Sequence, residues 1–251
     1  MKLFGKNPVL ERLKANPGSI KELHLRQKTD LSEIVIAAKK AGIAFVSVSP
    51  ESFSKLEDNA NTQGVVAIVD EYKHIPFQDM LSKALSEDLV PVFVDGVTDP
   101  QNLGSIIRNL ACLGGFTLVI PEHNSACVNE TVLRVASGGE NHILISQVAN
   151  TVKGITDAKK KGFYVVGAIT ENSRNLMDAK LSSPMAVVVG SEGKGIRPGI
   201  LKELDAGLSL PMEGAKLSYN VAVATALFCY EINRGRSFRK EGREDGKQKY
   251  T

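Results

Sequence analysis

Between Val90 and Val189 the apolar positions fall into short blocks separated by longer amphipathic stretches. The blocks are VPVFVD from Val90, FTLVI from Phe116, HILI from His142, FYVVGAI from Phe163 and MAVVV from Met185. Each is short, rich in β-branched residues and bounded by turn formers, the pattern of a strand buried on both faces. Stretches of helical period lie between them at 102–113, 129–137 and 151–161. Strands alternating with helices predict an α/β domain, a mainly parallel sheet with helices on both faces. After Val189 the chain breaks into Gly190-Ser191-Glu192-Gly193-Lys194-Gly195, a tight loop. A second short strand, Gly207 to Leu210, is closed by Pro211 and the turn Met212 to Leu217. Ser218 is then placed to cap a helix in which Thr225 is the one clearly polar residue between Val221 and Tyr230. A helix apolar on all sides must be covered, by a core or by a second subunit. The Ser218–Arg234 helix therefore predicts a homodimer.

Residues 1–71 follow another pattern and read as a separate small α/β unit. Asn7-Pro8 opens a helix through Leu13, Lys21 to Leu25 alternates as a half-exposed strand, and Leu31 to Lys40 is helical. Ala44 to Val48 and Val65 to Val69 are strands. Residues 72–89 carry Pro76 and alternating charges and read as a linker with a helical turn or two, leaving 90–235 as the second domain.

Composition narrows the classes. The chain is 43% hydrophobic without any apolar run of membrane-spanning length, and its N-terminal segment contains Glu11 and lacks a signal-like apolar core. This predicts a cytoplasmic protein. Cys112, Cys127 and Cys229 include no CxxC pair, so neither a disulfide framework nor a metal site is expected. The net charge of +3 is carried by the C-terminal stretch, where six Lys/Arg oppose three Asp/Glu. Residues 236–251 thus read as a basic, disordered tail able to touch phosphate.

The candidate chemistry concentrates at two places. Loops 190–195 and 210–219 converge on the start of one buried helix, which suits a ligand held by main-chain groups. The glycines of GSEGKG do not fit GxGxxG. No P-loop is present either, since Val188 stands at the required glycine and Gly195 follows Lys194. Upstream lies Asp99-Pro100-Gln101-Asn102-Leu103-Gly104-Ser105-Ile106-Ile107-Arg108. Asn102 is placed to cap this helix, and Arg108 stands opposite the face formed by Ile106, Ile107, Leu110 and Leu113. Gly104, one turn earlier, leaves room beside a guanidinium that can clamp a phosphate.

DPQNLGSIIRNL, GSEGKGI and LSLPMEGAKLSYNVAVATAL together resemble the three motifs of SPOUT-class RNA ribose 2′-O-methyltransferases, in the TrmH/RlmB-like branch. They occur in family order and spacing over Val90 to Arg234, departing at Tyr219, where members commonly carry Leu. The resemblance implies a C-terminal trefoil knot, which connection rules make exceptional. It implies S-adenosylmethionine as cofactor, held by Gly190, Gly195, Leu210, Met212, Leu217 and Tyr219. Glu192, Ser218 and Asn220 would lie at the reacting end with Asn102 and Arg108. It also implies an RNA-binding N-terminal domain, in which His24, Arg26, Lys28, Lys39 and Lys40 are candidate phosphate contacts. A guanosine of large-subunit ribosomal RNA is the favoured substrate. Transfer RNA, and a non-catalytic RNA-binding protein of the same fold, are the alternatives. A nucleotide-binding oxidoreductase is opposed by the missing fingerprint.

Overall fold

The computed structural model describes residues 1–56, 62–179, 181, 183–191, 193–215 and 217–248, with side chains in the last helix described through Arg236. The first domain comprises β1 (Lys2–Phe4), α1 (Lys6–Ala15), β2 (Ile20–Arg26), α2 (Ser32–Ala41), β3 (Val46–Val48), α3 (Pro50–Leu56) and β4 (Val65–Val69). Its four strands run in the order β1-β4-β2-β3. Pairing is antiparallel except between β2 and β3. The sequence pattern did not anticipate β1 or α3.

The second domain comprises α4 (Phe77–Ser86), β5 (Val90–Asp95), α5 (Pro100–Leu113), β6 (Phe116–Pro121), α6 (Glu130–Ala136), β7 (Ile145–Val148), α7 (Thr151–Lys160), β8 (Tyr164–Ala168), β9 (Arg174–Asn175), β10 (Met185–Gly190), α8 (Pro198–Leu201), β11 (Ala206–Ser209) and α9 (Val221–Gln248). Its sheet has the order β7-β6-β5-β10-β8-β11-β9, and every pairing in it is parallel. β5, β6 and most of β10 are buried throughout, because helices cover both faces. One core cluster includes Ile106, Ile107, Leu110, Phe228 and Ile232. The opposite face carries a second cluster with Met80, Phe93, Ile155 and Val188.

Several expectations are corrected here. Residues 77–86 form a full helix whose Met80, Leu81 and Ala84 are buried against the sheet, so this stretch belongs to the second domain's core. The apolar spacing Met80, Leu81, Ala84 marks one helical face, and burial of that face outweighs the surrounding charge. The backbone of α9 continues to Gln248, where a disordered tail was expected. Of the tail's cations, Arg236 pairs with Asp88. Asp99 caps α5, its carboxylate accepting from the Gln101 N–H at 2.9 Å, while Asn102 lies inside the helix. At α9 the cap is Asn220: its Oδ1 accepts from Ala222 N at 2.9 Å, and Ser218 lies outside the helix. Of the three thiols, Cys229 alone is in the core; Cys112 and Cys127 are exposed.

Candidate active site

β10 lies between β5 and β8, so its C-terminal end opens at the centre of the sheet edge, where strand order reverses and α/β sheets place ligands. Gly190 ends β10 in register with Asp95 of β5. The chain then doubles back. Gly195 N donates to Ser191 O at 3.0 Å, and Gly193 and Gly195 take φ of +79° and +64°. The return passes so near Gly190 that a Cβ there would lie 2.2 Å from the Gly195 carbonyl carbon. Glycine at 190 is thus required by close approach and glycine at 193 and 195 by conformation.

Behind this loop Asp95, wholly buried, accepts from Arg197 backbone N at 2.9 Å and Nε at 2.7 Å, and forms an ion pair with Nη2 at 2.6 Å. The pair anchors the end of the returning loop to the strand beside it. Sequence reasoning missed it; its one signal is an acidic residue closing an otherwise apolar strand.

Gly190, Ser191 and residues 193–196, with Leu210, Met212, Ser218 and Tyr219 and the segment after β8, line an open cavity of about 810 Å³. Its apolar lining includes Val189, Ile196, Leu208 and Phe228. Gly190, Gly195, Leu210, Met212, Ser218 and Tyr219 line it. Leu217 does not; it is 74% exposed. Glu192 lies outside the described residues. The Ile169–Asn172 segment was not anticipated as a wall. Its signal is the abrupt change from FYVVGAI to the polar TENS.

Next to this cavity, Asn220 Nδ2 donates to Asn102 Oδ1 at 2.9 Å, tying the start of α9 to the first turn of α5. Arg108 is elsewhere. It lies in the third turn of α5, exposed, and borders a separate cleft of about 450 Å³ against α1 and the α6 C-terminus. Six residues of helix rotate it by about 240° from Asn102 and carry it about 9 Å along the axis. Gly104 does not make room for it. A Cβ at Gly104 would lie 2.6 Å from Val135 Cβ and 2.9 Å from Val132 O, so this glycine lets α5 press against α6.

Residues 90–230 match the family model described as the SpoU rRNA methylase family, more than half of the chain. The chain belongs to that family. As a SpoU-family protein it is an S-adenosylmethionine-dependent RNA methyltransferase. Residues 2–75 match the model for RNA 2′-O ribose methyltransferase substrate binding. A Bacillus subtilis protein named for the TrmH family of tRNA/rRNA methyltransferases is 31% identical, over 94% of this chain and 96% of its own. A Synechocystis relative is 34% identical over 86% of this chain, which spans only 56% of that relative's length. An rRNA methyltransferase from Sinorhizobium meliloti, solved with S-adenosylmethionine bound, superposes with a TM-score of 0.76 at 25% identity, over 93% of this chain and 86% of its own. A TrmH-family structure from Porphyromonas gingivalis gives 0.74 at 25% identity, over 93% and 89%.

Proposed function

We propose that this SpoU-family chain methylates a ribose 2′-hydroxyl of ribosomal RNA, a guanosine of the large-subunit RNA being the target. The observation that carries the reading is the cavity walled by the 190–196 and 210–219 segments, opening beside the Asn102–Asn220 pair. Its volume, apolar floor and glycine-lined rim fit an adenosyl group held by backbone. Gly190, Gly195, Leu210, Met212 and Tyr219 would hold the cofactor, which supplies the methyl group. Ser218, Asn102 and Asn220 would orient the acceptor hydroxyl.

An arginine is never deprotonated in a protein, so Arg108 cannot act as general base. Its role is to hold the substrate phosphate in a planar fork and to offset charge developing on the ribose oxygen, the proton leaving to phosphate or water. Arg108 lies away from the cavity of its own chain. The reading therefore pairs each cavity with the same arginine of a second copy, docked on α9. Support for that dimer comes from Val223, Leu227 and Tyr230, which are 47%, 42% and 58% exposed on the same helix whose Phe228, Cys229 and Ile232 are buried in the core. Support for RNA as substrate comes from the N-terminal match to a substrate-binding domain.

The test is single-turnover methylation by Arg108→Ala of a large-subunit rRNA transcript and of transfer RNA. The rate on rRNA should fall by at least ~10²-fold, the scale for losing one preorganised charge-stabilising group. Affinity for S-adenosylhomocysteine should not change. Arg108→Lys should rescue poorly, since a point charge lacks the bidentate fork. A near-normal Arg108→Ala rate removes the arginine from the reaction. Methylation of transfer RNA alone replaces the substrate assignment.

A further inference from the structure

The seam between the two domains holds a charge pair that the transfer reaction does not use. Arg12 of α1 places Nη2 2.8 Å from Oε1 of Glu140, in a 3-10 turn over Gly139–Asn141; the two side chains are 5% and 0% exposed. Arg12 Nη1 also donates to Ser19 Oγ at 3.3 Å, and Asn141 Nδ2 donates to Glu140 Oε1 at 3.0 Å. Arg12 Nε and Glu140 Oε2 have no protein partner among the described residues. A pair desolvated on both sides and only partly satisfied adds little to stability. What such a pair can supply is specificity, since parting the two charges while both stay buried is costly.

The neighbouring glycines show how closely the parts are pressed. Gly138, at φ +94°, has Glu11 Cβ of α1 only 2.3 Å from where its own Cβ would be. A Cβ at Gly139 would lie 3.1 Å from Arg108 Cα and 3.3 Å from Ala111 Cβ. Three consecutive residues, Gly138, Gly139 and Glu140, therefore touch α1, the backbone of Arg108, and Arg12. Around them Glu11 Oε2 meets His142 Nε2 at 3.2 Å, Lys2 N donates to Glu130 Oε1 at 2.6 Å, and the Arg134 guanidinium sits 5.6 Å from the centre of the Phe4 ring. One buried apolar cluster includes Val9 and Leu13 of the first domain with Leu133 and Ala136 of the second.

We propose that Arg12 and Glu140 lock the N-terminal domain onto the methyltransferase domain in a single orientation, as positioning residues that fix where RNA held by the first domain meets Arg108. The proposal rests on the RNA reading above and adds to it a rigid seam. The Arg108 cleft is lined by Asn7, Leu10 and Glu11 of the first domain and by Ala111, Ala136 and Gly139 of the second, so rotation of the N-terminal domain would change its shape.

The experiment uses the full chain with Cys112 and Cys127 replaced by Ser and spin labels on Glu33→Cys and Lys202→Cys, both exposed sites. Pulsed dipolar spectroscopy should give one narrow distance distribution. Glu140→Gln should broaden it. The single-turnover rate at saturating RNA should then fall by about a hundredfold, the scale for a reactant misplaced by an ångström. Half-saturating RNA and S-adenosylhomocysteine affinity should each stay within about threefold, with the parent's binding stoichiometry, which loss of folded protein would lower. Should Glu140→Gln fail to fold, Arg12→Met with Glu140→Met removes both charges while keeping volume, and the same broadening and rate loss are expected. A broad distribution in the parent protein overturns the proposal. So does a narrow one in the variants, or an undocked variant with the parent rate. Absence of methylation by the parent on any RNA would instead overturn the substrate reading, while the distances still report on the seam.

Discussion

Gly190→Ala tests the proposed cofactor cavity at its most constrained point. The added Cβ would lie 2.2 Å from the Gly195 carbonyl carbon, 2.4 Å from Ile196 N and 2.5 Å from Gly195 O. All three are backbone atoms, so no side chain can swing aside. Carbon atoms rest at about 3.5 Å, so strand end and returning loop must part by about 1.3 Å. Both line the cavity, and on the proposed reading the shift would weaken backbone hydrogen bonds to the cofactor. Two such bonds at about 1 kcal/mol each correspond to about thirtyfold in affinity. Calorimetric titration with S-adenosylhomocysteine measures this directly, beside a thermal melt to confirm folded protein. Gly193→Ala is the control. Its φ of +79° strains an L-residue, yet its Cβ would meet nothing within 4 Å. It should cost about 1 kcal/mol of local stability and leave affinity within about threefold. Folded Gly190→Ala protein with parent-level affinity would show that this loop does not hold the cofactor.

Gly104→Ala should destabilise the fold by about 2 kcal/mol in urea unfolding, because its Cβ overlaps Val135 and the Val132 carbonyl; an unchanged midpoint would refute the α5–α6 packing argument. Arg197→Ala leaves Asp95 charged and buried, and should cost about 3 kcal/mol, the low end for a broken buried pair because the arginine side chain is 55% exposed. A loss below about 1 kcal/mol, the range of a surface pair, would show that water reaches the carboxylate. Leu227→Glu places a charge on the exposed face of α9 and should convert a dimer to a monomer in sedimentation at micromolar concentration; a parent protein that is already monomeric would remove the second copy from the mechanism.

The alternation of strands and helices, and with it the α/β class, was legible from the chain alone. Fully buried parallel strands must be apolar along their whole length, and few other arrangements produce VPVFVD, FTLVI and MAVVV in that succession. The glycine loops were legible because backbone approach leaves a compositional trace: nothing larger survives at Gly190. Periodicity carries no information about which strands are neighbours, and so could not place β10 between β5 and β8 or open the cavity there. It misread α4 as linker, because a single buried helical face is hidden among charges until the sheet it covers is known. It misjudged Gly104, since an absent side chain looks the same whether the space serves a ligand or a neighbouring helix. Arg108 was singled out by its motif, but its separation from the cavity depends on a rotation along α5 that acquires meaning only once α1 and α6 are packed against it. The Arg12–Glu140 pair spans 128 residues, and its partners become identifiable only when both domains fold together.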